Sequence, residues 1–201
     1  MTHFLVIGGT GVGKSSTINV LTGKNLAKVG YGSEPQTQKL MGYGAKGYVL
    51  WDTPGLGEGL NEDMRHIRLI KELITNNAAY RIQHLLVIVE ANKRDYGTVY
   101  KVIEEIAKPR YALHISILMN QADQAMKGRN WDGINNLPTS ALLSFLNEQA
   151  LSTQERIMRN TGVKVATPVF YSAATGYGVD TLDQHLKQLS LEYKNGHARK
   201  D

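Results

Sequence analysis

Within the stretch GGTGVGKSST, Gly8, Gly13, Lys14 and Ser15 satisfy the pattern G-x-x-x-x-G-K-[ST]. Residue types in that order suit the gripping of phosphate. Glycines let consecutive backbone N–H groups converge on phosphate oxygens with no Cβ in the way. A helix that starts at the lysine turns its positive end towards the same anion. The expected cradle is Gly11, Val12, Gly13, Lys14, Ser15 and Ser16. Lys14 would bridge the β- and γ-phosphates, and Ser15 would ligate Mg²⁺.

Two further groups could complete such a site. WDTPG places D-x-x-G at Asp52 to Gly55. An aspartate at a strand end can hold a Mg²⁺-bound water, and the Gly55 N–H can meet a γ-phosphate. Alone, the four residues read equally as an Asp-Thr-Pro-Gly turn; their place at the end of the next apolar strand gives them weight. MNQAD then sets Asn120 and Asp123 just past another strand. A carboxylate there accepts two hydrogen bonds from N1–H and N2–H₂ of guanine. Adenine lacks that donor pair, and would leave the aspartate unpaired. Ser172 and Ala173 in YSAATG follow the last strand, with the Ala173 N–H expected at guanine O6.

The chain has to bring these loops to one edge. HFLVIG (3–8), GYVLWD (47–52), HLLVIV (84–89), LHISILM (113–119) and VATPVFYS (165–172) read as short buried strands. Between them, Ile67, Ile70 and Ile74, and then Val99, Val102 and Ile106, recur at helical spacing. TSALLSFLNEQAL follows Pro138, as at a helix start. Leu182, Leu186, Leu189 and Tyr193 form a last helical stripe, read as packing on a sheet rather than as a membrane or partner face. Strands alternating with helices predict an α/β fold, a mainly parallel sheet with helices on both faces. Ligands of such sheets bind in loops beyond the carboxyl ends of the strands. The glycine-rich polar stretches 28–46 and 54–63 are those loops.

Composition limits the other options. The 201 residues suit one domain, and with no cysteine there is no disulfide or thiolate metal site. Six scattered histidines show no metal-ligand spacing. The net charge of +5 would attract a polyanion, yet the basic residues are dispersed and read as a solvated surface. With no signal peptide and no apolar run of membrane-spanning length, a cytoplasmic location is expected.

In this order the motifs resemble the translation-factor-related class of small GTPases, the Era-like group. TGVGKSSTIN also resembles plastid-import and immunity-associated GTPases. VGYGSEPQTQ, NQAD and RNWD resemble compact bacterial, often prophage-associated, predicted GTPases. The resemblance spans His3 to about Tyr193 and implies a P-loop NTPase G domain. It also implies that 28–46 is a first switch, with Thr37 sensing Mg²⁺ and γ-phosphate and Ser33 as the alternative; 54–63 would be the second switch. Three residues depart from the pattern. Gln121 replaces the lysine of N-K-x-D, Leu56 stands where Ras-like enzymes carry a water-orienting glutamine, and Gly11 replaces the asparagine of potassium-activated relatives. Glu58 and Arg94 are candidate replacements for the glutamine, each with the alternative of a solvated loop charge.

The expected protein is a G domain over 1–195 with a polar basic tail at 196–201. It would bind GTP/GDP and Mg²⁺ and hydrolyse GTP slowly, with Lys14, Thr37 and Gly55 acting on the γ-phosphate and Ser15, Thr37 and Asp52 serving the metal. The alternative is a nucleotide-gated binding or dimerisation module with little catalysis. An ATPase or kinase is disfavoured by Asn120 and Asp123. Expected partners are a second copy or a protein effector; ribosome or RNA association follows from family analogy alone.

Overall fold

The computed structural model describes residues 1–24, 41–76, 82–108 and 113–197. Its centre is a six-stranded sheet in the order β2-β3-β1-β4-β5-β8. These strands are β1 (Thr2–Gly8), β2 (Met41–Gly44), β3 (Tyr48–Asp52), β4 (Ile82–Glu90), β5 (His114–Asn120) and β8 (Val169–Phe170). β3, β1, β4, β5 and β8 run parallel, while β2 pairs antiparallel with β3. A second small sheet joins β6 (Trp131–Asp132) to β7 (Leu137–Pro138).

The helices are α1 (Lys14–Thr22), α2 (Leu60–Asn76), α3 (Gly97–Val102), α4 (Ser140–Thr161) and α5 (Val179–His197). A π-helical turn, Ile103–Ala107, continues α3. Two-residue alternation in the strands divides them between the faces. Phe4 and Val6, Leu86 and Ile88, and Leu118 point to the face that buries Ile18 of α1 and Leu182 and Leu186 of α5. Leu5 and Ile7, Leu85 and Val87, and Ile117 point to the other, against Ile67 and Ile70 of α2, Val99 and Val102 of α3, and Leu142 and Leu146 of α4. Both faces are covered, so the strands are apolar at nearly every position.

Three expectations need correction. Residues 41–44 fall in the stretch read as a switch loop but form the antiparallel edge strand β2. The last strand is two residues long rather than the whole of 165–172. Pro168 precedes it and has no N–H to give the ladder. Pairing does go on beyond it, as the Tyr171 N–H donates to Met119 O at 2.9 Å and the Ala122 N–H to Tyr171 O at 3.0 Å. Pro138 lies in β7 rather than opening a helix: Thr139 caps α4, its Oγ1 accepting from the Leu142 N–H. That helix also runs on to Thr161, ten residues past Leu151. α5 extends through His197, into the segment expected as a tail, and 198–201 lie outside the described residues. Among the described residues no helix is long and apolar enough to cross a membrane.

Candidate functional site

β1 ends at Gly8 and α1 begins at Lys14, so the glycine loop sits at the carboxyl edge of the central strand. Gly13 caps α1 with φ at 90°, a left-handed conformation, and a Cβ there would collide with the Asn120 side-chain amide. Only glycine meets both conditions. Lys14 is 8% exposed, and its Nζ donates to Gly9 O at 2.9 Å and Gly8 O at 3.2 Å. Burial pushes its ammonium down to about 8, against the pull of the Asp52 and Glu58 carboxylates. A triphosphate at Lys14 would supply the missing negative charge.

β3 delivers Asp52 to the same edge. The buried Asp52 accepts a hydrogen bond from Ser15 Oγ at 3.0 Å through Oδ2. A hydroxyl beside a buried carboxylate is a donor set suited to a hard divalent cation such as Mg²⁺. Ser16 is partly exposed on the first turn of α1. Gly55 and Leu56 are joined to the glycine loop. The Leu56 N–H donates to Gly8 O at 3.1 Å, and the Thr10 N–H donates to Leu56 O at 3.0 Å. Leu56 itself turns into the core at 2% exposure, which leaves no side chain from that position facing the loop. Thr37 and Ser33 lie outside the described residues.

The loop expected to read the base is tied to the phosphate loop by side chains. Asn120 Nδ2 donates to Val12 O at 2.9 Å, and its Oδ1 accepts from the Ala173 N–H at 2.9 Å. The Ala173 N–H, expected at guanine O6, is thus engaged in holding Asn120. Ser172 is fully buried, with its Oγ accepting from the Thr175 N–H at 3.2 Å. Gln121, in the left-handed region at φ 62°, donates from Nε2 to Gly11 O at 3.0 Å. It thus reaches the phosphate loop from the place where the resembling proteins carry lysine. Asp123 is 6% exposed, and Gln124 Nε2 donates to its Oδ2 at 2.7 Å. Its Oδ1 is buried and has no hydrogen-bond partner among the described residues. An orphaned carboxylate oxygen of this kind is costly unless a ligand donor completes it.

Some contributors escaped the sequence reading. His66 Nδ1 lies 2.8 Å from Gly55 O, and Asp63 Oδ1 accepts from the Gly57 N–H at 2.7 Å. Both stand on the first turns of α2, three residues apart, facing back at the loop before it; that spacing was the available signal. Thr10 Oγ1 donates to Glu58 Oε1. Arg94 is exposed and lines a groove with Met126, Lys127 and Arg129.

Residues 3–121 match the model of the 50S ribosome-binding GTPase family. The chain belongs to that family. No protein of curated function matches the sequence. Among solved structures, this family member is similar to Toc33 from Arabidopsis thaliana in complex with Mg²⁺ and GMPPNP. The TM-score is 0.66 at 17% identity, over 95% of this chain and 85% of that one. Era in complex with MgGDPNP and nucleotides 1506–1542 of 16S ribosomal RNA gives 0.65 at 16%, over 93% and 56%. A probable GTP-binding protein, EngB, gives 0.57 at 18%, over 95% and 100%. The likenesses show a G-domain fold.

Proposed function

We propose that this chain is a Mg²⁺-dependent GTPase switch, with residues 1–195 as its G domain and a cytoplasmic location. The observation that carries the reading is the buried, unsatisfied Asp123 Oδ1. It belongs to a loop that Asn120 and Gln121 tie to the phosphate loop holding Lys14 and Ser15. Guanine N1–H and N2–H₂ would complete Asp123. Backbone N–H groups of Gly11 to Ser16, together with Lys14, would hold the phosphates. Asn120 would stiffen the base site, supported by Ala173 and Ser172. Ser15 and Asp52 would hold Mg²⁺, with Thr37 joining from the first switch; the cation would neutralise charge on the β- and γ-phosphates.

Hydrolysis needs water in line with the leaving oxygen, and Lys14 and backbone N–H groups stabilise the charge that develops. With Leu56 in the core, the intrinsic rate is low. Thr37 and Gly55 would hold the switches only while the γ-phosphate is bound. The same burial of Leu56 favours a second reading, a nucleotide-gated module that recruits a second copy or an effector with little turnover. RNA is a partner by analogy with the Era complex.

Phosphate release from GTP and ATP, measured across a range of protein concentrations, tests the reading. Release from GTP alone supports the GTPase, and a rate per molecule that rises with concentration adds activation by a second copy. GTP binding with no release at any concentration leaves the module. Equal affinity for ATP overturns the base assignment.

A further inference from the structure

The second-switch loop is not loose. Its start is paired with the glycine loop through Leu56. Asp63 Oδ1 then holds the Gly57 N–H, and His66 meets Gly55 O. Gly57 and Gly59 have φ of 94° and 120°, so two left-handed turns bracket Glu58. Few side chains tolerate either turn. The result is to fold Glu58 back over the phosphate loop, where Thr10 Oγ1 donates to its Oε1.

Three features make that carboxylate unusual. Its charge reaches Lys14, the residue that would meet the β- and γ-phosphates, and the other carboxylate acting on Lys14 is Asp52, already engaged by Ser15. Its Oε2 makes no hydrogen bond among the described residues, and the side chain is only partly buried, within reach of water. The rival candidate, Arg94, lies in the groove beside the base loop.

We propose that Glu58 is the catalytic residue that accepts the hydrogen bond of the attacking water, with Thr10 as its positioning residue. This rests on the GTPase reading above. Thr10 fixes Oε1, and Oε2 takes the water O–H. As the water oxygen bonds to the γ-phosphorus, the bond to the β,γ-bridging oxygen breaks and that oxygen leaves with its electron pair on GDP. The proton of the water passes to Glu58 and then to solvent, so that GTP and water give GDP, phosphate and a proton. Leu56 can therefore be spent on the core, because the function of the missing glutamine moves two residues along the chain.

Single-turnover hydrolysis by the full chain, beside titration with a non-hydrolysable GTP analogue, tests this. Glu58→Ala and Glu58→Gln should each slow hydrolysis on the order of 100-fold, with analogue affinity changed less than about threefold. Formate should restore a good part of the Glu58→Ala rate and leave the wild type unmoved, which loss of a merely structural contact would not do. Thr10→Val should slow the wild type about tenfold and the Glu58→Ala chain not at all, as expected for two groups acting as a unit. A wild type that hydrolyses GTP, with both Glu58 variants at its rate or with no response to formate, overturns the proposal and leaves the GTPase reading standing. A wild type that binds GTP and releases no phosphate overturns both.

Discussion

Asp123→Asn is the sharpest perturbation of the proposed base site. The carboxylate is clamped on one side, where Gln124 Nε2 donates to Oδ2 at 2.7 Å, and unsatisfied on the other, where Oδ1 is buried without a partner among the described residues. An asparagine of the same shape must keep its oxygen towards Gln124. Its NH₂ then points where Oδ1 had been, and a donor faces the N1–H and N2–H₂ donors of guanine. Two charge-assisted hydrogen bonds, each about 1.5–3 kcal/mol, are lost together. GDP affinity should fall on the order of 10²- to 10⁴-fold. Xanthine carries a carbonyl at C2 in place of the amine and accepts from the new NH₂, so XDP should bind more tightly than it does to the wild type. Displacement of a fluorescent guanine nucleotide by GDP and XDP measures both. Folding stability should not drop, because no protein partner of Oδ1 is lost. GDP affinity within about threefold of wild type, with no gain for XDP, would refute the assignment of Asp123.

Gln121→Ala removes the hydrogen bond to Gly11 O, a net contribution of about 0.5–1.5 kcal/mol, and should weaken GDP binding by roughly two- to tenfold; unchanged affinity would make that contact incidental. Burial holds the Lys14 pKa near 8, and bound phosphates should raise it, so binding at pH 8 should take up roughly half a proton. Calorimetry in two buffers of different ionisation enthalpy reads this directly, with uptake vanishing towards pH 7; affinity should weaken as pH rises through 8. His84 is buried between Ser116 Oγ at 2.8 Å and Tyr193 Oη at 2.7 Å, and burial, with His114 and His185 nearby, pushes its pKa from 6.5 down to about 3. The unfolded chain therefore binds the extra proton first, and stability should fall as pH drops below 6.5. The loss should be about 2 kcal/mol by about pH 5, seen in urea melts and flattened in His84→Gln.

The phosphate loop was legible because its constraints are local. Gly13 must be left-handed and lack a Cβ, and β1 before it is apolar at nearly every position. The alternation of strands with helices likewise foretold a mainly parallel sheet covered on both faces, while the division of the helices between those faces came only with the packing. The edge strand β2 was hidden because Met41–Gly44 carries no apolar alternation; it is a strand only through its pairing with β3. β8 looked longer because Pro168 sits inside an apolar run and ends the ladder from within. Side-chain partners were the least legible. Thr10 and Glu58 are 48 residues apart, and Gln121 and Gly11 are 110 apart. Nothing in either local stretch names the other, and only the parallel sheet that carries both loops to one edge brings them together.

The central claim is that this site cleaves GTP. Phosphate release by the purified chain under single-turnover conditions, with Mg²⁺ and either GTP or ATP, tests it most directly. Slow, Mg²⁺-dependent release from GTP is expected, with none from ATP and loss of release in the Lys14→Ala chain. Release from ATP at the rate of GTP, or no release from bound GTP at any protein concentration, would contradict it.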